Sequence, residues 1–320
     1  MHPFDALTAK GFEVRFLSHA RSIIAGDFPQ ALSEIGAALN DIDLPISEII
    51  GSGGGETKFT QRLRKTLATM GWRKHIFEIK KTIDGVPRES TSHEIDHVKA
   101  YGGTGVVALE IEWNNKDPFF DRDLENFKRL HAEGAISVGV LITRGASLQD
   151  ALWEAVRRFT RDRRISSFDD LAINGYVPTP KQRANVLRRV QRPNNPMPFA
   201  DAWTDNFVSN KFGQATTHWA KLMHRVERGI GNPCPLLLIG LPASMITFDA
   251  APIDQLSEDD VKPTTRSRVP VAQAFGCAAS DWNRWASLAR SRHAPGHPRS
   301  TSQSARREQT FPGMGPGCNW

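Results

Sequence analysis

Apolar residues recur along this chain at the three- and four-residue spacing of a helix that is buried on one face. The clearest case is the segment 56–72, where Phe59, Leu63, Leu67 and Met70 fall on a single face. The same spacing predicts further helices at 27–40, 147–159 and 216–230. A more polar segment that ends at a glycine predicts another helix at 121–134.

Strand patterns lie between these helices. Residues 12–18 alternate between apolar and polar, while 135–143 and 235–241 are nearly continuous apolar runs, which are typical of buried strands. Two more strands, 93–101 and 106–114, flank a Gly-Gly-Thr-Gly stretch whose glycines suit a tight hairpin turn. Strands that alternate with helices predict an α/β fold, in which a central mixed β-sheet carries helices on its faces.

Composition narrows the class of protein. Of the 320 residues, 39% are hydrophobic and 24% are charged, as in soluble globular proteins. The formal net charge of +6 favours a polyanionic partner such as nucleic acid. From Ser287 onward the sequence is dominated by Ser, Arg, Pro and Gly, which predicts a disordered basic tail over 287–320. We expect the residues before it, 1–286, to form a single domain.

Several other classes of protein are disfavoured. The three cysteines, Cys234, Cys277 and Cys318, form no CxxC pair, so neither a structural zinc site nor a disulfide framework is expected. The first ten residues lack the apolar run of a signal peptide, and the longest apolar run, at 235–241, is too short to span a membrane. The sequence GSGGGETK resembles a phosphate-binding loop, but Glu56-Thr57-Lys58 replaces the required Gly-Lys-Ser/Thr.

Three acidic residues stand out on the predicted hairpin. Glu110 and Glu112 are two residues apart on an otherwise apolar strand, so their side chains leave the same face. Such a pair is costly to bury unless it is paired or holds a cation. Asp96 lies on the preceding strand. In a hairpin without a bulge, a three-residue loop pairs Asp96 with Glu110, and a five-residue loop pairs it with Glu112.

Either pairing predicts three carboxylates around one hard cation, because oxygen ligands favour magnesium, manganese or calcium over zinc. The alternative is that the acids lie on a solvated face of the hairpin, where alternating polar residues are common.

The region around these acids resembles a known family of enzymes. It reads HEIDHVKAYGGTGVVALEIEWNNKDPFFDRDLENFKRL and is followed by ISVGVLITRG. It is similar to the core of the PD-(D/E)XK nucleases, and more narrowly to the type II restriction endonucleases of the BglII/BstYI group. The resemblance covers about residues 50–160, with weaker similarity at 205–242. It implies a restriction-endonuclease-like fold with its catalytic core at about 50–160 and DNA-recognition additions at about 165–245.

The resemblance also implies a mechanism, the Mg²⁺-dependent hydrolysis of phosphodiester bonds in double-stranded DNA, with Mn²⁺ able to substitute. Asp96, Glu110 and the carbonyl of Ile111 would bind the metal ion. Glu112 stands where this superfamily usually has lysine, so it would either accept a proton from the attacking water or hold a second metal ion. Glu56 would be a supporting acid; the alternative is that it only stabilises a helix N-terminus.

Six residues are candidate DNA contacts under the same resemblance. Asn114 and Asn115 follow the acid motif, and asparagine can read adenine in the major groove; they could equally be ordinary turn residues. The others precede or begin a predicted helix, where backbone N–H groups attract phosphate, although a helix cap is an alternative role for the threonines. They are Thr216, Thr217, His218 and Lys221.

The resemblance implies further partners. Symmetric cleavage of a short palindromic site requires two active sites, so we expect a homodimer. A cognate DNA methyltransferase and a cytoplasmic location in a prokaryote, away from membranes, are also implied. Two alternatives stay open: a DNA-binding protein of the same fold that has lost catalysis, and a repair nuclease that does not read sequence.

Overall fold

The computed structural model describes residues 3–51 and 56–249. Its helices are α1 (Pro3–Ala9), α2 (Ala20–Gly26), α3 (Pro29–Asn40), α4 (Ile46–Ile50), α5 (Lys58–Thr69), α6 (Phe119–Ala132), α7 (Ala146–Asp162), α8 (Phe168–Ile173), α9 (Pro180–Val190), α10 (Phe199–Lys211) and α11 (Trp219–Glu227). Its strands are β1 (Glu13–Leu17), β2 (Leu44–Pro45), β3 (Arg73–Ile83), β4 (Val86–Tyr101), β5 (Gly105–Glu112), β6 (Val138–Arg144), β7 (Leu236–Leu241) and β8 (Ile246–Thr247). The predicted tail at 287–320, and the predicted end of the domain at residue 286, lie outside the described residues.

Six of these strands form one mixed sheet, in the order β1-β7-β6-β5-β4-β3. The central strands β5, β6 and β7 run parallel, while β1 on one side and β4 and β3 on the other are antiparallel to their neighbours. Strands β6 and β7 are buried along their whole length, as expected for parallel strands that helices cover on both faces. The predicted α/β fold with a central mixed sheet is confirmed.

Helices cover the two faces of the sheet. On one face, Phe59 and Leu63 of α5 belong to the same apolar cluster as Leu109 of β5. On the other face, Leu124 of α6 belongs to a second cluster with Ala108 of β5. Because side chains alternate along a strand, the odd-numbered residues of β5 face α5 and the even-numbered residues face α6.

Helix α5 begins two residues later than the sequence suggested. Thr57 caps the helix, and its side-chain hydroxyl accepts the backbone N–H of Thr60 at 3.3 Å. Glu56 therefore precedes the cap and lies outside the helix, although the sequence predicts a helix that begins at residue 56. The reason is local, since the threonine hydroxyl satisfies the helix N–H group that a first-turn carboxylate would otherwise stabilise.

A long antiparallel hairpin of β3 and β4 includes residues 73–92, for which the apolar pattern predicts no element. Most side chains near its turn are exposed on both faces, so the alternating burial that usually indicates a strand is missing. Its turn consists of Asp84 and Gly85, both with positive φ (52° and 77°). An Asp-Gly dipeptide is a common signal of a two-residue hairpin turn, so this dipeptide is the feature of the sequence that could have predicted the β3–β4 hairpin.

The other predicted elements have close to their expected bounds. The strand predicted at 12–18 is β1, and the helices predicted at 27–40, 147–159 and 216–230 correspond to α3, α7 and α11. Every helix in the described residues is too short or too polar to cross a membrane.

Candidate active site

Two buried glutamates lie on β5. Glu110 and Glu112 leave the face that packs against α6, and their exposed fractions are only 4% and 3%. Ile111, between them, is half-buried and points to the opposite face, where it lines a cleft. The two acids therefore sit in the layer between the sheet and α6.

The hairpin loop determines which glutamate meets Asp96. The strands β4 and β5 are joined by three residues, 102–104, with Tyr101 paired to Gly105. This is the loop length that brings Asp96 to Glu110. The backbone N–H of Asp96 donates a hydrogen bond to Oε1 of Glu110 at 3.3 Å.

A β-bulge changes the direction of the Asp96 side chain. A two-residue step along β3, 73–75, faces a three-residue step along β4, 95–98, so β4 carries one extra residue there. Bulges commonly turn a side chain away from its regular face. The Asp96 carboxylate lies 3.3 Å from Nζ of Lys74, and its side chain is 52% exposed. The pairing of β4 with β5 is regular from 97 to 109, so it is the bulge against β3 that makes Asp96 the exposed member of the acid group.

A fourth acid, which the motif pattern does not include, completes the group. Asp123 on α6 is 1% exposed and faces the glutamates. Its Oδ1 accepts a hydrogen bond from Nε of Arg122 at 2.8 Å and lies 2.7 Å from Nη2 of the same guanidinium. The same Nη2 lies 3.6 Å from Oε1 of Glu112. The sequence feature that could have identified Asp123 is its place on the apolar face of the predicted helix, between Phe120 and Leu124.

Burial strongly favours the protonated form of these acids. Burial raises the pKa of Glu110 to about 9, and the nearby carboxylates of Asp123 and Asp96 raise it further. Burial also raises the pKa of Glu112 to about 9, again with a contribution from Asp123. The pKa of Asp123 is itself raised, mainly by burial. Near neutral pH Glu110 and Glu112 hold protons that a bound cation would displace.

The chemistry of the donor atoms fits a hard divalent cation. Carboxylates offer only oxygen, which such cations prefer as a ligand. Within residues 3–51 and 56–249, however, no three His, Cys, Asp or Glu side chains are already arranged to hold a metal ion. The acids are neighbours, and joint coordination of one cation requires their side chains to rotate.

A cleft of about 670 Å³ opens on the α5 side of β5. Asp96 and Ile111 line it, whereas the two glutamates do not. Three cationic side chains also line it: Arg64, Arg73 and Lys74. A concave surface with this charge suits a phosphodiester backbone.

Glu56 lies in the wall of the same cleft. Its carboxylate lies 3.1 Å from Nη2 of Arg64, and its side chain is 39% exposed. The structure therefore gives Glu56 a positively charged partner in the cleft and separates it from the buried acids of β5.

Main-chain hydrogen bonds join two segments that the sequence presents as separate DNA-contact candidates. Lys116 and Thr216 form an isolated antiparallel β-bridge. The N–H of Thr217 donates to the carbonyl of Asn115 at 2.8 Å, and the N–H of Asp117 donates to the carbonyl of Ala215 at 3.0 Å. The turn that follows the acid motif and the loop before α11 are thus one surface, which we call the bridged turn (114–117 and 214–218).

The asparagines of the bridged turn differ in their contacts. Nδ2 of Asn115 donates to Oε2 of Glu112 at 2.8 Å, so this exposed residue holds one of the buried acids. Asn114 is half-buried and lines both the cleft described above and a second cleft of about 550 Å³, which Lys116, Gln182 and Asn210 also line.

The candidates in the second half of the bridged turn are mostly buried. Thr217 is fully buried and His218 is 5% exposed, while Thr216 is half-buried. His218, rather than a threonine, occupies the N-cap position of α11, and its side chain makes no cap hydrogen bond. Lys221 is one-third exposed and lies 3.6 Å from the carboxylate of Asp117.

A buried arginine fixes this segment to the sheet. Arg144, at the end of β6, is fully buried. Its Nη2 donates to Oγ1 of Thr216 and to the carbonyl of Thr217, both at 2.7 Å, and its guanidinium lies 4.9 Å from the ring centroid of Phe212. Because it has no carboxylate partner among the described residues, burial lowers the pKa of Arg144 to about 9.

The fold and the site define a class of protein: an α/β protein with buried acids and a basic cleft that suits a phosphodiester backbone. The model of the family described as Restriction endonuclease BglII/BglIII matches residues 12–241, which include all six strands of the sheet and the four acids. A search of the curated proteins gives no match. Because the family model matches most of the chain, the protein belongs to the BglII/BglIII restriction endonuclease family.

Membership of this family establishes the general activity. The chain is a type II restriction endonuclease and a DNA hydrolase, and it cleaves DNA in a sequence-specific manner. Enzymes of this kind generally use a divalent metal ion.

Proposed function

We propose that this protein is a homodimer that cleaves double-stranded DNA at a short palindromic sequence, with Mg²⁺ as its cofactor. The observation that carries this proposal is the acid group itself. Glu110 and Glu112 are buried at raised pKa beside Asp96, and Asp96 lines a basic cleft. Buried carboxyl groups of this kind are retained at a cost in stability, which argues for a functional role.

Asp96, Glu110 and the carbonyl of Ile111 would hold Mg²⁺ or Mn²⁺. When bound, the ion neutralises charge on the phosphoryl group and makes water more acidic. Asp96 lines the cleft, whereas Glu110 is buried on the α6 face of β5, so its side chain would have to rotate toward Asp96 for the two to share the ion. The cationic residues of the cleft bind and orient the DNA backbone.

Glu112 orients the attacking water or accepts its proton. Its position supports this role, because Nδ2 of Asn115 and the guanidinium of Arg122 hold its two oxygens. Glu56 is a second, weaker candidate for a supporting acid. It lines the cleft, but its ion pair with Arg64 favours a role in holding that arginine.

DNA sequence is read at the bridged turn. Asn114 and Asn115 are accessible and adjacent to the acids, and Lys221 supplies a cation beside them. Thr216 is partly accessible at the second cleft. Because Thr217 and His218 are buried, we propose that they support the bridged turn from the protein interior rather than contact DNA.

Symmetric cutting requires two active sites, which is why we propose a homodimer. In a cell this activity calls for a cognate DNA methyltransferase that protects the host's own sites.

Incubation of the purified protein with plasmid DNA, in Mg²⁺ or in EDTA, tests the proposed function. We expect discrete bands that depend on Mg²⁺. A smear would indicate a nuclease that does not read sequence, and a gel shift without cutting would indicate a binding protein.

The matched pair of variants is Asp96→Asn and Glu94→Gln. Both residues lie on β4 and pair with Lys74, and both side chains are 52% exposed. We expect Asp96→Asn to abolish cutting and Glu94→Gln to retain it. Equal activity of the two variants would refute the role of Asp96.

A further inference from the structure

The second cleft, of about 550 Å³, adjoins the cleft of Asp96 but differs from it in charge. Asn114 lines both clefts, so they meet at the bridged turn. Glu56 and Asp96 lie in the wall of the first cleft. Lys116 and Lys211 line the second, and none of the described residues that line it is acidic. The charge of the second cleft therefore suits an anion.

Lys211, the last residue of α10, is a half-buried cation whose partners in the protein are neutral. Its Nζ donates to the carbonyls of Ile49 at 2.9 Å and Gly51 at 2.7 Å, at the C-terminal end of α4. The ammonium group also lies 5.4 Å from the ring centroid of Phe207 and 5.6 Å from that of Phe212. Because an ammonium group has three N–H donors and the described residues supply two acceptors, one donor remains for a ligand.

The charge of Lys211 is not compensated within the part of the chain that the structure describes. Burial lowers the pKa of Lys211 to about 8, and no carboxylate raises it. Lys221, beside the bridged turn, differs in this respect, because it lies 3.6 Å from the carboxylate of Asp117. A cation that is partly buried without an anion is costly, and a bound anion would offset this cost by favouring the charged form.

Lys116 brings a second cation to the same cleft from a separate element. It is exposed, and its main chain forms the β-bridge with Thr216. Lys116 thus belongs to the bridged turn, whereas Lys211 belongs to α10. Lysine ammonium groups that line one groove suit the phosphates of a nucleic-acid backbone, which carry charge and accept hydrogen bonds.

We propose that the second cleft binds the DNA backbone beyond the phosphate that is cut, with Lys116 and Lys211 each contacting a phosphate. This inference rests on the proposed function, because it extends the path of the DNA from the cleft of Asp96 across the bridged turn. The contacts add affinity without reading sequence. They also account for a lysine, rather than an apolar residue, at the partly buried end of α10.

The salt dependence of DNA binding by the full-length protein tests the proposal. Fluorescence anisotropy with a labelled duplex, in EDTA to prevent metal-dependent cutting, gives the slope of log Kd against log salt concentration. We expect Lys116→Met and Lys211→Met each to lower this slope by about 1. The matched control is Lys10→Met, which should leave the slope unchanged. Nζ of Lys10 also donates to a carbonyl at a helix end, that of Asn40 at 3.1 Å, but Lys10 lines neither cleft.

Circular dichroism verifies that each variant is folded, and the exposed Lys116 provides a test that does not depend on the packing around Lys211. Unchanged slopes in both lysine variants, with Mg²⁺-dependent cutting by the wild type, would overturn the second cleft as a DNA site and leave the proposed function intact. No duplex binding by the wild type would overturn both.

Two further measurements identify the ligand. In ethylation interference, we expect at least one phosphate other than the cut one to weaken binding by the wild type but not by Lys211→Met; identical patterns would contradict the contact. Calorimetric titration with inorganic phosphate tests for a free anion. Phosphate binding that Lys211→Met abolishes, together with an unchanged DNA slope, would assign the cleft to a small anion and overturn the proposal.

Discussion

Glu110→Gln should change the stability of the protein in opposite directions at pH 5 and pH 8. The pKa of Glu110 is about 9 in the folded protein, against 4.5 for a free side chain. Between these values the folded protein retains a proton that the unfolded chain releases, so the wild-type free energy of unfolding falls as pH rises through this window. Glutamine has the shape of the protonated acid but cannot lose the proton.

The expected magnitude follows from the width of the window. Each pH unit corresponds to about 1.4 kcal/mol, so at pH 8 the variant avoids a cost of at most about 5 kcal/mol, and at pH 5 less than about 1 kcal/mol. The new amide can still accept the N–H of Asp96, but its own buried N–H groups lack partners and cost about 1–3 kcal/mol. The net result is a stabilisation of about 2–4 kcal/mol at pH 8 and a destabilisation of up to about 2 kcal/mol at pH 5.

Urea unfolding in EDTA at the two pH values measures this difference. EDTA is needed because a bound cation would favour the carboxylate form of the wild type. Glu154→Gln is the control, since this glutamate is 66% exposed on α7 and its variant should behave alike at both pH values. A Glu110→Gln effect that is the same at pH 5 and pH 8 would refute the reasoning that burial keeps this acid protonated.

Three other predictions concern the core, the DNA contact and the assembly. Leu63→Ala, at a fully buried position of α5, should lower the free energy of unfolding by about 2–5 kcal/mol in urea unfolding; a loss below about 0.5 kcal/mol would show that α5 packs differently. Lys221→Ala should reduce the slope of log Kd against log salt concentration for DNA by about 1, and an unchanged slope would exclude a phosphate contact. Light scattering should give a mass of two chains, and a monomer at assay concentration would contradict the proposed dimer.

Much of the sheet was predictable because its signals are local. The apolar runs that became β6 and β7 predict strands buried on both faces, and this is how they lie. The spacing of Glu110 and Glu112 predicts a shared face, because side chains alternate along any strand. The Asp84-Gly85 turn was also present in the sequence as a hairpin signal, although the exposed strands on either side of it lack alternation.

The direction of Asp96 was not predictable. It depends on a bulge that appears only when β4 pairs with β3, and β3 itself is not evident from the apolar pattern. A single extra residue turns the carboxylate toward Lys74 and the cleft, so three acids that the sequence groups together separate into one exposed and two buried residues.

The sequence alone determined which acids share a strand face, because that depends on backbone geometry over two residues. Only the tertiary structure decided what those acids meet. Packing of α6 on the sheet brings Asp123 to Glu112, and a β-bridge brings the segment before α11 to the turn after the motif. Both contacts depend on how separate elements dock, and docking is set by the packing of the entire core rather than by the spacing of residues within one segment.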